Sequence, residues 1–223
     1  MKAVPTLLIA AVLALGAARG APAERDLGLG LKYFRARAVP ADLPTSEAAR
    51  GGPVVLDLRY ATGDSAGALA LAGRLKFHAG PNNPVFLLAN AGTSRRLLAP
   101  LASPDAVRGL IILGPAAPSF EPDIPLAVKA DADRKCWEAF EHGTPIEALL
   151  SDRREKPRDD EALLVREHLS DSALSADPVD PASAPPAPAA PLLDEVLRRA
   201  VQLHRTLVAL RRLPVPAGAR ARL

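Results

Sequence analysis

The side chains able to do chemistry in this chain are few and scattered. His78, His142, His168 and His204 fall on separate predicted elements, with no i, i+4 pair and no paired cysteine. Neither zinc-ligand spacing nor a local Ser/His arrangement is therefore written in the sequence. The one cysteine, Cys136, sits beside Trp137 in an apolar helical stretch, which points to core filling and away from a reactive thiol. Gly28 and Gly30 form a G-x-G, but it precedes its strand and lacks the third glycine of a phosphate cradle. Thr93 and Ser94 follow an apolar run and precede Arg95 and Arg96, where a serine reads first as a helix cap. No cofactor or metal is implied by these residues.

The elements that must position these groups are clearer. Leu31 to Val39 alternates around Tyr33, Arg35, Arg37 and Val39, the period-2 pattern of a half-exposed strand, and Pro40 and Pro44 end it. Pro53 to Arg59, Val85 to Ala89 and Gly109 to Leu113 are compact apolar runs suited to buried parallel strands. A turn at Thr62, Gly63 and Asp64 leads into a helix capped by Ser65 and running to Phe77, and a shorter helix covers Ser94 to Ala102. Strand, helix, strand, helix, strand predicts an α/β domain with a mostly parallel sheet, flanking helices and the three apolar runs as neighbours. A weaker strand at Ile124 to Val128 and helical stretches through Cys136 to Phe140 and after Pro145 complete residues 24–151.

The two ends read differently. Residues 1–23 carry Lys2, an apolar stretch from Leu7 to Ala18 and a small-residue exit at Ala21 to Ala23, the pattern of a cleaved export signal and too short for a spanning helix. Cys136 is far from that exit, so no thiol is placed there for a lipid anchor. The expectation is a soluble periplasmic or secreted protein. Residues 152–190 are first charged, then rich in Pro and Ala, and read as an extended linker with Asp177 to Ala190 disordered. Residues 191–213 form a helix with Leu193, Val196, Leu197, Ala200, Leu203, His204, Leu207 and Val208 on one side, and 214–223 a disordered basic tail.

Charge is split along the chain. Pro191 to Leu223 holds seven arginines against Asp194 and Glu195, a net +5, whereas residues 24–190 carry 19 basic and 23 acidic residues, a net −4. A mature net charge of +1 gives no reason to invoke nucleic acid. The closing helix is expected to fold back over an apolar face of the body. A membrane surface is the competing partner for a basic amphipathic helix and is not favoured.

Three segments together carry a family signature: VLDLRYATGD at Val55 to Asp64, VFLLANAGTSRRLL at Val85 to Leu98 and RGLIILG at Arg108 to Gly114. With EPDIPL at Glu121 to Leu126 and the closing helix at Leu193 to Leu207, the chain resembles the carboxyl-terminal processing, or tail-specific, serine peptidases, which have a crotonase-like core. The resemblance implies a serine nucleophile, a lysine base and backbone amides that receive the oxyanion. Ser94 is the hydroxyl nearest the nucleophile position, with Thr93 as the alternative register. The family's Gly-Gly oxyanion donor corresponds to Gly63 followed by Asp64, whose charge opposes a developing anion. The lysine-bearing stretch is missing, because Gly114 to Phe120 runs directly into Glu121. Lys76 and Lys129 could in principle supply a displaced base, and nothing in their spacing supports that role. The resemblance therefore implies a non-catalytic relative, a scaffold or a module for a protein or peptide partner. The alternative is an active hydrolase using Ser94 with a relocated base.

Overall fold

Apolar, β-branched runs bounded by Gly and Pro form strands here because both sides of each run can be covered. In the computed structural model, residues 23–45, 52–103, 106–118, 120–151 and 192–214 are described. In chain order they form β1 (Ala23–Asp26), β2 (Lys32–Arg35), β3 (Ala38–Val39), β4 (Val54–Asp57), β5 (Thr62–Gly63), α1 (Ser65–His78), β6 (Val85–Leu88), α2 (Arg95–Leu98), β7 (Leu110–Gly114), β8 (Ile124–Pro125), α3 (Ala130–Glu141), α4 (Ile146–Leu150) and α5 (Glu195–Ala209). The main sheet has the order β1-β2-β4-β6-β7-β8. Only the β1–β2 pair is antiparallel. The fold is mixed α/β with a mostly parallel sheet and flanking helices.

Period-2 alternation sorts the side chains into two cores. Val54, Leu56, Val85, Leu87 and Ile112 face α1 and α2, where Leu71, Leu75, Leu97 and Leu98 cover them. Val55, Phe86, Leu88 and Leu113 face the other way, toward Ile146 of α4 and Val196, Leu197, Ala200 and Val201 of α5. The strand order advances steadily from β4 to β7, so both crossover helices fall on one face. The opposite face is left for elements later in the chain.

Several local expectations are corrected. The alternating segment Leu31 to Val39 divides into β2 and β3, and β3 pairs with β5 in a separate two-stranded sheet. Tyr33, Phe34 and Arg35 are all buried, because β2 is an interior strand with β1 beyond it. Asp64, not Ser65, caps α1, its carboxylate accepting from the Gly67 amide at 2.8 Å. The helix after Ser94 is short, giving way to a 3-10 turn at Ala99–Leu101 that contains Pro100. The export signal expected over residues 1–23 lies outside the described residues except for Ala23, which opens β1. The linker expected over 152–190 also lies outside them, as does the tail expected over 214–223 apart from Pro214.

The α5 helix shows how amphipathicity settles packing. Its Val196, Leu197, Ala200, Val201 and His204 are buried, and Asp194 caps its first turn by accepting from the Leu197 amide at 3.0 Å. Among the described residues no helix is long and apolar enough to cross a membrane. His204 is only 1 % exposed, lies edge-on to Phe86, and its Nε2 has no hydrogen-bond partner among the described residues. Burial, aided by the neighbouring Arg205, lowers its pKa to about 4. The unfolded imidazole takes its proton near 6.5, so between that pH and about 4 the unfolded chain binds more protons. Stability is therefore expected to fall across this window by on the order of 3 kcal/mol more in the parent protein than in His204→Leu. Urea unfolding of both proteins at about pH 7 and about pH 4 checks this, and parallel pH profiles would contradict it.

Candidate functional site

In open parallel sheets, functional groups gather beyond the carboxyl ends of the strands. Here that position is held by the residues following β4 and β6. Asp57 ends β4 with its side chain on the α5 face, and Arg59 lies two residues on, fully buried. An arginine in that setting must have every donor satisfied, because an unpaired buried charge is strongly destabilising. All five guanidinium N–H groups have acceptors. Nε donates to Asp57 Oδ1 at 3.0 Å and Nη2 to Asp57 Oδ2 at 2.8 Å. Nη1 donates to Asp133 Oδ1 at 2.8 Å and Asp194 Oδ1 at 3.0 Å, and Nη2 also reaches Asp194 Oδ2 at 2.7 Å. Two of the three carboxylates are thus gripped through both oxygens, the geometry arginine is built for.

The cluster extends outward through polar neighbours. Tyr33 Oη donates to Asp57 Oδ2 at 2.8 Å, and the buried Arg35 donates through Nε to that hydroxyl at 2.9 Å. Arg35 Nη1 turns to the Trp137 carbonyl at 3.0 Å and to Glu141 at 3.1 Å, while its guanidinium lies 4.3 Å from the Phe140 ring centre. Asp133 accepts from Asn90 Nδ2 at 2.6 Å and from Tyr60 Oη at 3.2 Å. Tyr60 has φ +60°, a left-handed conformation that is uncommon for a residue with a side chain, and its amide donates to Asn90 Oδ1 at 3.3 Å. Three donors from the β4 and β6 ends thus converge on one carboxylate of α3.

Electrostatics follow from this packing. Burial works against the Arg59 charge, but Asp194, Asp57 and Asp133 outweigh it and hold the guanidinium protonated, well above its ordinary range. Burial likewise pushes the Asp57 carboxyl up, and the attraction and hydrogen bonds of Arg59, with Arg35 and Tyr33, bring it below its ordinary value. Burial and Asp133 raise the Tyr60 phenol to about 12. Burial and Asp194 raise the Cys136 thiol to about 11, and its Sγ donates to the Leu193 carbonyl at 3.1 Å, so this cysteine is an inert part of the core. The arrangement fixes charge in place and offers no free nucleophile.

Of the hydroxyls singled out from the sequence, Thr93 touches this cluster at Asn90, whereas Ser94 bonds elsewhere. Thr93 is buried, its Oγ1 donating to the Leu58 carbonyl at 2.9 Å and accepting from the Asn90 amide at 3.0 Å, so it ties the β4 and β6 loops together. Ser94 occupies the first position before α2 without capping it through its side chain, which corrects the capping expectation. Its Oγ instead donates to the Gly63 carbonyl at 3.2 Å, and its amide donates to the Ala61 carbonyl at 2.9 Å. Lys76 on α1 and Lys129 before α3 are exposed, and neither is hydrogen-bonded to Ser94 among the described residues. His142 Nδ1 lies 2.8 Å from the Glu138 carbonyl oxygen, and His168 falls outside the described residues. No group of three His, Cys, Asp or Glu side chains that could hold a metal occurs among the described residues. No family model and no curated protein matches the chain.

The Arg59 cluster escaped the sequence reading although a signal was present: Asp57 and Arg59 are charges inside an otherwise apolar strand run, and such charges need partners. Replacing Arg59 with Met leaves three carboxylates without their common cation and is expected to cost about 3–5 kcal/mol. Arg59→Lys is expected to recover little, because three donors on a point charge cannot replace a five-donor fork. Chemical denaturation of the two variants measures both effects, and near-parental stability of the lysine variant would refute the geometric argument.

Proposed function

We propose that this chain is an exported, non-catalytic relative of the tail-specific serine peptidases, with a truncated crotonase-like core, acting as a module for a protein or peptide partner. The observation that carries the reading is the setting of Ser94. Its hydroxyl donates to a backbone carbonyl, that of Gly63, where the family mechanism calls for a lysine to accept the proton. Lys76 and Lys129, the two lysines weighed as a displaced base, are solvent-exposed. The order β4, α1, β6, α2, β7, with Asp57 and Arg59 closing the first strand, supports descent from the same core.

A binding role needs a surface. Beside β7 runs a groove of about 470 Å³ lined by Leu98, Leu101, Val107, Leu110, Ile112 and Phe120. Glu121 and Asp123 stand on its wall, and the Asp123 carboxylate accepts from the Ile112 amide at 2.7 Å. An apolar floor with acids beside it suits a peptide carrying apolar and basic side chains together. The Asp123 bond occupies the edge amide, so recognition there runs through side chains, not through strand addition.

Two measurements test the proposal. A fluorophosphonate serine probe is expected to leave the purified protein unlabelled; labelling abolished by Ser94→Ala would establish the hydrolase reading in its place. Calorimetric titration with short peptides combining Leu or Phe with Arg is expected to show binding that Phe120→Glu weakens by roughly tenfold or more. Binding that is absent, or unaffected by Phe120→Glu, would contradict the groove.

A further inference from the structure

The α1 helix is apolar on both sides, which a helix covering one face of a sheet does not need. Its inner face, with Gly67, Ala68, Leu71 and Leu75, is buried against the sheet and β3. Gly67 is explained there, since a Cβ would collide with the Val39 carbonyl. The outer face carries Ala66, Leu69, Ala70, Gly73 and Phe77, spaced along one stripe of the helix. Leu69 is 72 % and Phe77 73 % exposed. Gly73 is the telling residue. A Cβ there would meet nothing within 4 Å among the described residues, so these give no packing reason for a glycine that weakens the middle of a helix.

We propose that this stripe is the contact surface for a second copy of the chain, with the two α1 helices packed antiparallel about a two-fold axis near Ala70 and Gly73. Antiparallel pairing places Phe77 of one copy over Ala66 of the other and Leu69 over Gly73, so each large side chain meets a small one. The stripe is complementary to itself, as an isologous interface requires. Gly73 then has a role, letting the facing backbone and Leu69 approach closely. Charge selects the same orientation. Asp64 is exposed at the start of α1 and Lys76 at its end, so antiparallel packing brings the acidic end of one helix beside the basic end of the other. The opposed helix dipoles reinforce it. A 14-residue helix is only about 21 Å long, so one helix pair forms a small interface and a reversible dimer in the micromolar range.

Sedimentation velocity of the full chain over a concentration series tests this. The expected result is a monomer–dimer equilibrium that Leu69→Arg abolishes and Gly73→Gln weakens by at least tenfold. Because Gly73 borders open space, Gly73→Gln is also expected to raise the melting temperature by a few degrees when both proteins are monomeric, separating interface loss from misfolding. Phe77→Ala is expected to weaken the dimer, and the size exchange Ala66→Phe with Phe77→Ala to restore it. A chain that stays monomeric because one of its own segments covers the stripe would overturn the proposal. So would a dimer indifferent to Leu69→Arg and Gly73→Gln, or one the size exchange fails to restore.

Discussion

A single guanidinium buried among three carboxylates sets the terms for half of this molecule. Once β4 carries Arg59 into a dry interior, the chain must bring acceptors to it, and it does so from three separate elements. Asp57 comes from the strand itself, Asp133 from α3 and Asp194 from the start of α5. Such a cluster adds little net stability compared with a well-packed apolar replacement of all its members together, although losing one member alone is costly. What it supplies is positional: the bonds are directional, so α3 and α5 are held in one register that greasy contacts alone would leave less defined.

The consequence for α5 is direct. Its first turn is pinned by Asp194, which caps the helix, accepts from Arg59 and donates its own amide to the Leu149 carbonyl at 2.9 Å. The apolar residues that follow then fall on Phe86, Leu88 and Leu113 and close the second core. The same cluster fills the space beyond the strand ends where a parallel sheet ordinarily keeps its chemistry. With that space taken by fixed ion pairs, the recognition proposed for this chain lies at the periphery, along the β7 groove and the α1 stripe.

The parts of this fold that are local in sequence were legible, and the non-local parts were not. The runs around Val54, Val85 and Leu110 announced three buried parallel strands, because apolar character on both faces is a property of each run alone. The break between β2 and β3 was hidden, since it depends on β5 pairing with Ala38 and Val39 from across the β4 loop. Ser94 looked like a cap by its neighbours, yet its hydroxyl is claimed by Gly63, 31 residues earlier. The ionic cluster was the least legible: Asp133 and Asp194 lie 74 and 135 residues beyond Arg59, and nothing in their own surroundings marks them as its partners.

The claim that charge at Asp194 holds α5 on the sheet is tested most directly by hydrogen exchange on Asp194→Asn. Asparagine caps a helix as well as aspartate, so the substitution removes the ion pair while keeping the cap. The account predicts that amides of Ala200 to Leu203 lose protection by tenfold or more while those of β4 and β6 keep theirs, marking local release of the helix. Unchanged protection along α5 would contradict it and leave apolar packing as the whole reason the helix stays in place.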